Sequence, residues 1–325
     1  MNRIFALTIS IAMLNVAVFA DNNDLKDTYL DPATAPIDYK IQGEYEGTAG
    51  PEAVKFGVQV IALGDGKFRM VSYTGGLPNA DRSHKDVKVE IDGELEGDAA
   101  VFANDLFKIE IANGELAVST VADGILRGTL YKVQRESDTL GAKPPAGAVV
   151  LFDGSSADAF EGGKLQGDLL AANCFSREKF GDHRLHLEFR TPFKPKARGQ
   201  ARGNSGVYMQ SRYELQVLDS FGLAGKNNEC GGIYSIAEPN VNMCFPPLQW
   251  QTYDIDFTAA RYDDQGNKTK NARATIRHNG VVIHDDLELP HGTPGRHPEG
   301  PEADALYLQG HGNPVVYRNI WVVKK

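Results

Sequence analysis

The sequence predicts an all-β protein with two unequal parts, a small all-β domain followed by a larger two-sheet sandwich. Short runs of residues alternate between apolar and polar along almost the whole chain, as strands with one buried face do. Asn-Gly and Asp-Gly pairs, which favour tight hairpin turns, separate several of these runs. No helical period extends beyond about two turns.

Composition and charge indicate where the two parts meet. The 325 residues are 42% hydrophobic and 24% charged with a net charge of −9, which excludes disordered, fibrous and strongly nucleic-acid-binding proteins. Residues 21–140 hold 12 Lys and Arg against 22 Asp and Glu, whereas residues 141–325 hold 21 of each. Both tryptophans, all three cysteines and seven of the eight histidines lie in the second part. We therefore expect two domains, with most of the chemistry in the second.

Residues 1–20 have the pattern of a secretory signal peptide. Arg3 precedes an apolar run, and a small-residue cleavage site ends at Ala20 before the acidic Asp21. The apolar core is short for a membrane helix, so a retained N-terminal anchor is the less favoured alternative. We expect an exported protein, periplasmic or extracellular, without a stable membrane span.

Residues 21–133 are predicted to form the small acidic all-β domain. Its alternating runs lie at 37–46, 55–62, 67–73, 87–91, 106–111, 115–121 and 124–133. Hairpin turns are expected at residues 64–66, 113–114 and 123–124. These residues gather no histidines, cysteines or paired carboxylates, so we interpret the domain as a binding or spacer module. Residues 134–148, which contain a Pro-Pro pair, are the predicted linker.

Residues 149–325 are predicted to form a jelly roll. The expected strands lie at 185–190, 206–211, 213–218, 252–258, 272–278, 281–285, 305–311 and 315–323. Asn279-Gly280 is the clearest hairpin signal, and a short helix is possible near 168–172. Eight or more strands in this length favour a two-sheet sandwich whose concave face binds a ligand.

Alternation assigns a polar and aromatic set to the face opposite the core. Leu187 and Phe189 point to the core in one strand, which leaves the neighbouring polar residues on the other face. Across four strands this set is His186, Glu188, Arg190, Tyr208, Gln210, Glu214, Gln216, Tyr307, Gln309 and His311. A solvated outer face is the simple explanation. Amides, carboxylates and aromatic rings, however, suit a sugar, so we favour a carbohydrate site.

Two loops and three cysteines complete the candidates. A basic loop at 191–202, too short for a nucleic-acid patch, leads to Asn204, and Trp250 could stack on a sugar or pack in the core. In an exported protein Cys230 and Cys244 could form a disulfide and leave Cys174 unpaired. Cysteine and histidine spacings typical of thiol catalysis or structural zinc do not occur.

An ordered series of motifs resembles the 3-keto-disaccharide hydrolase domain family over about residues 149–325. The matching segments are Leu-Phe-Asp-Gly at 151–154, Gly-Asn-Ser-Gly-Val-Tyr at 203–208, residues 213–219, Cys-Gly-Gly-Ile-Tyr at 230–234, residues 250–254, Asn-Gly-Val at 279–281, His-Gly at 311–312 and residues 317–321. The resemblance implies a concanavalin A-like (glucanase-like) jelly roll and action on glycosides oxidised at C3 of the sugar.

The resemblance also implies a reaction and candidate residues. A C3 ketone acidifies the C2 proton, so a base can form an enolate, the anomeric oxygen can leave, and water can add back. We expect Glu214 and His311 as bases or metal ligands and Arg318 or Arg190 as the clamp. A calcium, magnesium or manganese ion could be held by Glu214, Gln216 and His311. The expected sugar contacts are His186, Glu188, Arg190, Asn204, Tyr208, Gln210, Gln216, Tyr234, Trp250 and Gln309.

Two alternatives stay open from the sequence. An ordinary glycoside hydrolase would pair two carboxylates, and only Glu188 and Glu214 could form the pair. The single outward acid in residues 213–219 counts against this hypothesis. A non-catalytic, lectin-like carbohydrate-binding protein would use the same polar face without turning over its ligand.

Overall fold

The computed structural model describes residues 27–79, 81 and 88–325, so the predicted signal peptide lies outside the described residues. The all-β prediction is confirmed. Of the described residues, none lies in a helix long and apolar enough to cross a membrane. The elements of the first half are a 3-10 turn at Pro32–Thr34, α1 (Ile37–Ile41), β1 (Gly43–Ala49), β2 (Val54–Gly64), β3 (Lys67–Thr74), β4 (Val89–Glu96), β5 (Ala99–Ala103), β6 (Phe107–Ala112), β7 (Glu115–Thr120) and β8 (Leu126–Val133).

Strands β1 to β8 form a closed antiparallel barrel. Each strand pairs with the next in sequence, and β8 pairs back to β1. Side chains that alternate inward fill one half of the barrel, among them Tyr45, Phe68 and Phe102, all buried. Closure leaves no free strand edge in this sheet. Asn113 and Gly114, both with positive φ, form the expected turn between β6 and β7.

The prediction of a strand over 37–46 is wrong for its first half, which is helix α1. The helix follows Pro36, whose fixed φ suits a helix start. Ile37 and Ile41 are four residues apart and therefore share one face of the turn, which packs against the barrel core. The Tyr45 hydroxyl donates to the Ile41 carbonyl at 2.6 Å. The helix thus closes one end of the barrel.

The second half of the chain contains fifteen strands and one short 3-10 turn among the described residues. They are β9 (Val149–Phe152), β10 (Phe160–Glu161), β11 (Leu165–Gln166), β12 (Leu169–Ala171), β13 (Cys174–Phe180), β14 (His183–Arg190), the turn Gly199–Ala201, β15 (Ser205–Met209), β16 (Tyr213–Val217), β17 (Gln251–Thr258), β18 (Arg261–Tyr262), β19 (Lys268–Lys270), β20 (Ala272–His278), β21 (Val281–Leu289), β22 (Asp304–Leu308) and β23 (Val316–Lys324). The helix considered near 168–172 is wrong, because β12 pairs with β23 there.

Two sheets pack face to face over one core. The smaller sheet has the order β10-β13-β22-β15-β16, and the larger has the order β11-β12-β23-β14-β17-β20-β21, with β9 added on β23. Leu187 and Phe189 of the larger sheet share the core with Leu215 and Leu308 of the smaller one. The polar side chains of the two sheets therefore point away from each other, on opposite sides of the sandwich.

The barrel and the stretch after it rest against the sandwich. Phe193, from the loop after β14, packs into the barrel core beside α1. The Arg202 guanidinium donates to the Ala62 carbonyl at 3.2 Å. Residues 137–142, within the predicted linker, lie on the outer face of the larger sheet, where the Gly141 amide donates to Glu188 Oε1 at 2.6 Å. This outer face is therefore covered by the chain itself.

The predicted disulfide between Cys230 and Cys244 does not form in this structure. All three cysteines are free thiols and all are buried. The thiols of Cys230 and Cys244 contact each other through a hydrogen bond. Cys230 Sγ also lies 3.2 Å from the Tyr253 hydroxyl, and Cys244 Sγ lies 3.6 Å from the Leu218 carbonyl oxygen. Each thiol thus has a polar neighbour without a covalent bond.

Candidate active site

Glu214 lies at the centre of the polar face of the smaller sheet. Its neighbour Leu215 points into the core, so the carboxylate points to the opposite face, as the alternation predicts. Only 5% of the residue is exposed. Burial raises the pKa of Glu214 to about 7, although hydrogen bonds from Tyr208 and Gln309 act in the opposite direction. Near neutral pH this carboxyl group can therefore both accept and release a proton.

A glycine makes room for this carboxylate. Gly206 lies on β15, next to β16, and a Cβ atom there would be 2.7 Å from Glu214 Oε1. The same atom would be 3.2 Å from Gln309 Oε1. Any side chain at position 206 would consequently displace one or both groups. This explains why Gly206, the last residue of the Gly-Asn-Ser-Gly motif, suits the site.

Gln309 brings a hydrogen-bond acceptor that is not used within the protein. Its amide nitrogen donates to the Tyr208 hydroxyl at 3.2 Å. Its Oε1 atom is buried and has no hydrogen-bond partner among the described residues. A buried acceptor of this kind costs about 1–3 kcal/mol. A donor such as a sugar hydroxyl would satisfy it.

Aromatic rings and one cation lie beside the carboxylate. The rings of Phe175 and Tyr307 are stacked with their centroids 4.3 Å apart, and the Tyr208 ring is 5.4 Å from that of Tyr307. The Arg296 guanidinium lies 4.4 Å from the centre of the Tyr307 ring and donates to its hydroxyl. Aromatic faces suit the apolar face of a sugar ring, and a guanidinium suits its oxygens.

The connection between β21 and β22 lies over this face. Thr293 Oγ1 accepts a hydrogen bond from the Glu214 amide at 2.9 Å. At Gly295, which has a φ of +137°, a Cβ atom would be 2.9 Å from the Tyr208 hydroxyl oxygen. Farther along, His297 Nδ1 lies 2.8 Å from Asp304 Oδ2. Residues 293–297 thus exclude solvent from Glu214 and Tyr208.

Among the other predicted sugar contacts, three lie around Glu214 and one does not. The Gln216 amide donates to Asn204 Oδ1 at 2.8 Å, so these two side chains hold each other beside β16. The Tyr234 amide donates to the Glu214 carbonyl at 3.3 Å, and the tyrosine is 37% exposed. Gln210 instead follows the end of β15 with a φ of 52° and donates to the Phe180 carbonyl. Its amide therefore fixes the sheet end.

The prediction that His186 and Glu188 share the face of Glu214 is wrong, and so is the expectation that Arg318 acts beside Glu214. They lie on β14 and β23 of the larger sheet, and the core separates them from Glu214. Arg318 Nε donates to Glu188 Oε2 at 2.6 Å. His186 Nδ1 lies 2.7 Å from Asp254 Oδ1. Alternation shows which side of a strand is polar, but it does not show to which sheet the strand belongs.

Trp250 and Arg190 also belong to this second cluster. The guanidinium carbons of Arg318 and Arg190 lie 3.9 and 5.0 Å from the centre of the Trp250 ring. Glu188 is held ionised, since hydrogen bonds from His186, Asn319, the Gly141 amide and Arg318 together outweigh burial and hold its pKa at about 2. The cluster ties residues 137–142 to the larger sheet, and we interpret it as structural.

The predicted metal ligands are Glu214, Gln216 and His311. His311 lies in the exposed loop after β22, where its carbonyl accepts from Asn313. Glu214 and Gln216 share one face, but their side chains are engaged by Tyr208, Gln309 and Asn204. Within the described part of the chain, no group of three or more His, Cys, Asp and Glu is arranged to hold a metal ion. A metal held by Glu214, Gln216 and His311 stays a prediction.

Three residues of this face were not among the predicted site residues. Tyr307 was on the predicted polar face but was not selected as a site residue, although its alternation with Leu306 and Leu308 is clear. Phe175 and Arg296 lie on an irregular strand and in a Gly/Pro-rich loop, so no periodic pattern marks them. The available signal for Arg296 was a basic residue directly after Gly295 in that loop.

Comparisons with known proteins find relatives of the second half of the chain. Residues 147–323 match the family described as the 3-keto-alpha-glucoside-1,2-lyase-like domain. A crystal structure of a "putative glycosyl hydrolase" from Parabacteroides distasonis is 29% identical with a TM-score of 0.52, covering 56% of this chain and 85% of that one. A second protein of the same description and organism is 15% identical with a TM-score of 0.41, covering 55% and 94%. No curated protein matches the chain.

Proposed function

Because the chain belongs to the 3-keto-alpha-glucoside-1,2-lyase-like domain family, we propose that it hydrolyses glycosides, and specifically glycosides oxidised to a ketone at C3 of the sugar. The observation that carries this proposal is the Glu214 carboxylate, whose pKa is raised to about 7. It lies beside the stacked rings of Phe175 and Tyr307, here called the aromatic platform, and beside the buried Gln309 Oε1 atom, which has no hydrogen-bond partner among the described residues. A base with a pKa near the working pH is suited to removing a carbon-bound proton.

The proposed reaction begins with proton transfer to Glu214. The carboxylate takes the C2 proton, and the electron pair of the C–H bond forms the enolate with the C3 oxygen. The enolate collapses to a C1–C2 double bond conjugated with the ketone, and the bond from C1 to the glycosidic oxygen breaks. The leaving oxygen takes a proton from protonated Glu214 or from Tyr208. Water then adds at C1 and a proton returns to C2, which gives net hydrolysis.

The other side chains of the face have roles in this proposal. Arg296 is the cation closest to the aromatic platform, and we place the enolate oxygen near it. Gln309 Oε1 would accept a hydrogen bond from a sugar hydroxyl. Residues 293–297 would exclude water while the enolate forms. The clamp role expected for Arg318 passes to Arg296, since Arg318 lies on the other sheet.

The two-carboxylate alternative finds little support in this geometry. Among the described residues, the side chains that act on the Glu214 carboxylate through hydrogen bonds are those of Tyr208 and Gln309, neither of which is an acid. Glu188, the expected partner, belongs to the larger sheet, and its pKa of about 2 makes it a poor proton donor. The elimination route needs one base and therefore agrees better with the site.

One experiment separates the hypotheses. The purified protein is incubated with a plain aryl glucoside and with its 3-keto derivative, with and without a chelator, and release of the aglycone is measured. We expect turnover of the keto compound alone, its loss in Glu214→Gln, and its retention in Glu288→Gln, a matched change at an exposed position of β21 on the larger sheet. Exchange of the C2 proton in deuterated water should accompany turnover.

Other outcomes would contradict the proposal in different ways. Turnover of the plain glucoside would indicate an ordinary hydrolase. Binding of both sugars without turnover of either would indicate a lectin-like protein. Activity lost with the chelator and restored by calcium, magnesium or manganese would support the predicted metal.

We also propose that the protein is exported, and the pattern of residues 1–20 supports this proposal. Detection of the processed chain outside the cytoplasm would test it.

A further inference from the structure

The barrel contains a cavity that opens at the end facing away from the sandwich. Helix α1 and Phe193 close the end where the β2–β3 turn contacts the sandwich loop at Lys196. The cavity occupies the other half and has a volume of about 630 Å³. Among the described residues, those that line its mouth come from the turns β1–β2, β5–β6 and β7–β8. An eight-stranded barrel is wide enough to hold one small ligand.

The lining of this cavity is hydrocarbon. It is formed by residues of seven strands, including Phe56, Met70, Ile91, Ile109, Val118 and Leu130. Polar groups occur toward the rim, at Ser72, Asn104, Thr120 and Arg127. Cavities of 300–1,000 Å³ with an apolar wall and a few polar groups are typical of small-molecule sites.

Large apolar side chains surround the mouth in water. Val89, Leu106 and Leu126 are 56%, 67% and 57% exposed. Val121 and Ile125, in the β7–β8 turn, are also more than half exposed. A contiguous apolar rim beside an apolar cavity marks a surface that a nonpolar molecule crosses or covers.

The negative charge of the barrel half of the chain favours a neutral ligand over an anionic one. Residues 21–140, which include the barrel, hold 12 Lys and Arg against 22 Asp and Glu, so the field around the mouth disfavours an anion. Arg127, the cation among the described residues that line the cavity, pairs with Asp123 at 3.2 Å. A polypeptide is also disfavoured, because its backbone amides and carbonyls would find few partners on a hydrocarbon wall.

We propose that the barrel binds one neutral, elongated apolar molecule of the class of a long-chain alcohol. The chain lies between Phe56, Ile91 and Val118, and the hydroxyl lies at the rim beside Ser72 and Asn104. Binding replaces water against the wall and is driven by the hydrophobic effect. The mouth opens away from the sandwich, so this site acts independently of the proposed glycoside chemistry.

The test uses the full chain and the neutral fluorescent probe N-phenyl-1-naphthylamine. We expect saturable binding with one site per chain, displacement by 1-hexadecanol, and at least tenfold weaker displacement by palmitate. Val118→Trp fills the cavity and should weaken probe binding at least tenfold. Ala117→Trp adds the same side chain to the outer face of β7 and should bind normally.

A thermal melt of both variants guards against misfolding, because filling a cavity should not lower the melting temperature of Val118→Trp. If that variant unfolds, Val118→Phe gives the same comparison with a smaller ring. Equal probe binding by the inward and outward variants would overturn the proposal. So would stronger displacement by palmitate than by hexadecanol, or binding seen with lipid vesicles alone and equally in both variants.

Discussion

Replacing Glu214 by glutamine should stabilise the sandwich at alkaline pH while abolishing turnover. Burial raises the pKa of Glu214 from 4.5 to about 7. Between these values the unfolded chain ionises the carboxyl group and the folded chain does not, so wild-type stability falls as the pH rises. The 2.5-unit difference corresponds to about 3 kcal/mol. Glutamine has no such penalty, and its amide could donate to the unused Gln309 Oε1.

The assay is urea unfolding followed by tryptophan fluorescence. Both tryptophans, Trp250 and Trp321, belong to the second half of the chain, so their signal reports on the sandwich. The free energy of unfolding is measured for wild type and Glu214→Gln at about pH 4.5 and pH 8. We expect the advantage of the variant to grow by about 3 kcal/mol between the two conditions.

The exposed variant Glu288→Gln on β21 provides the control, and its difference from wild type should stay within about 0.5 kcal/mol at both pH values. An advantage of Glu214→Gln that does not change with pH would refute the reasoning, because it would show that the carboxyl group is not raised above its ordinary pKa. An active Glu214→Gln enzyme would refute its role as the base.

Four further outcomes are expected. The kcat/KM for the keto glycoside should rise about tenfold per pH unit up to about pH 7 and then level, since Glu214 acts when ionised. Gly206→Ala, which pushes a Cβ against that carboxylate, should lower kcat on the order of 100-fold with a nearly unchanged melting temperature. Arg318→Ala leaves buried Glu188 without its cation and should destabilise the protein by about 2–4 kcal/mol in urea titrations, while molecules that remain folded keep their kcat. Thiol titration of the unreduced, unfolded protein should count three groups per chain, and a count of one would show a disulfide.

Local rules explain the parts of the fold that the sequence predicted well. A strand places alternate side chains on opposite faces, so Leu187, Phe189 and Leu215 could be assigned to the core from their spacing alone. The pairs Asn113-Gly114 and Asn279-Gly280 adopt the positive φ values that tight hairpins require. These properties depend on neighbours within a few residues, and tertiary packing did not alter them.

At α1, tertiary packing determined the structure and the local alternation did not. Residues 37–41 alternate as a strand would, yet Ile37 and Ile41 are also spaced as one face of a helical turn. The end of a closed barrel offers an apolar surface for such a turn and no free edge for another strand. A five-residue segment does not contain the information needed to choose between the two.

For the site, as for the fold, some properties follow from local sequence and others only from tertiary structure. Glu214, Tyr208 and Gln309 could be placed on a polar face from their spacing, because strand alternation is a local property. The position of Glu188 and Arg318 beyond the core, on another sheet, follows only from the folded chain, since strand pairing joins residues far apart in the sequence. Tertiary structure also decided that Arg296 lies over Tyr307 and that burial raises the pKa of Glu214, because both depend on a loop folding back across the sheet.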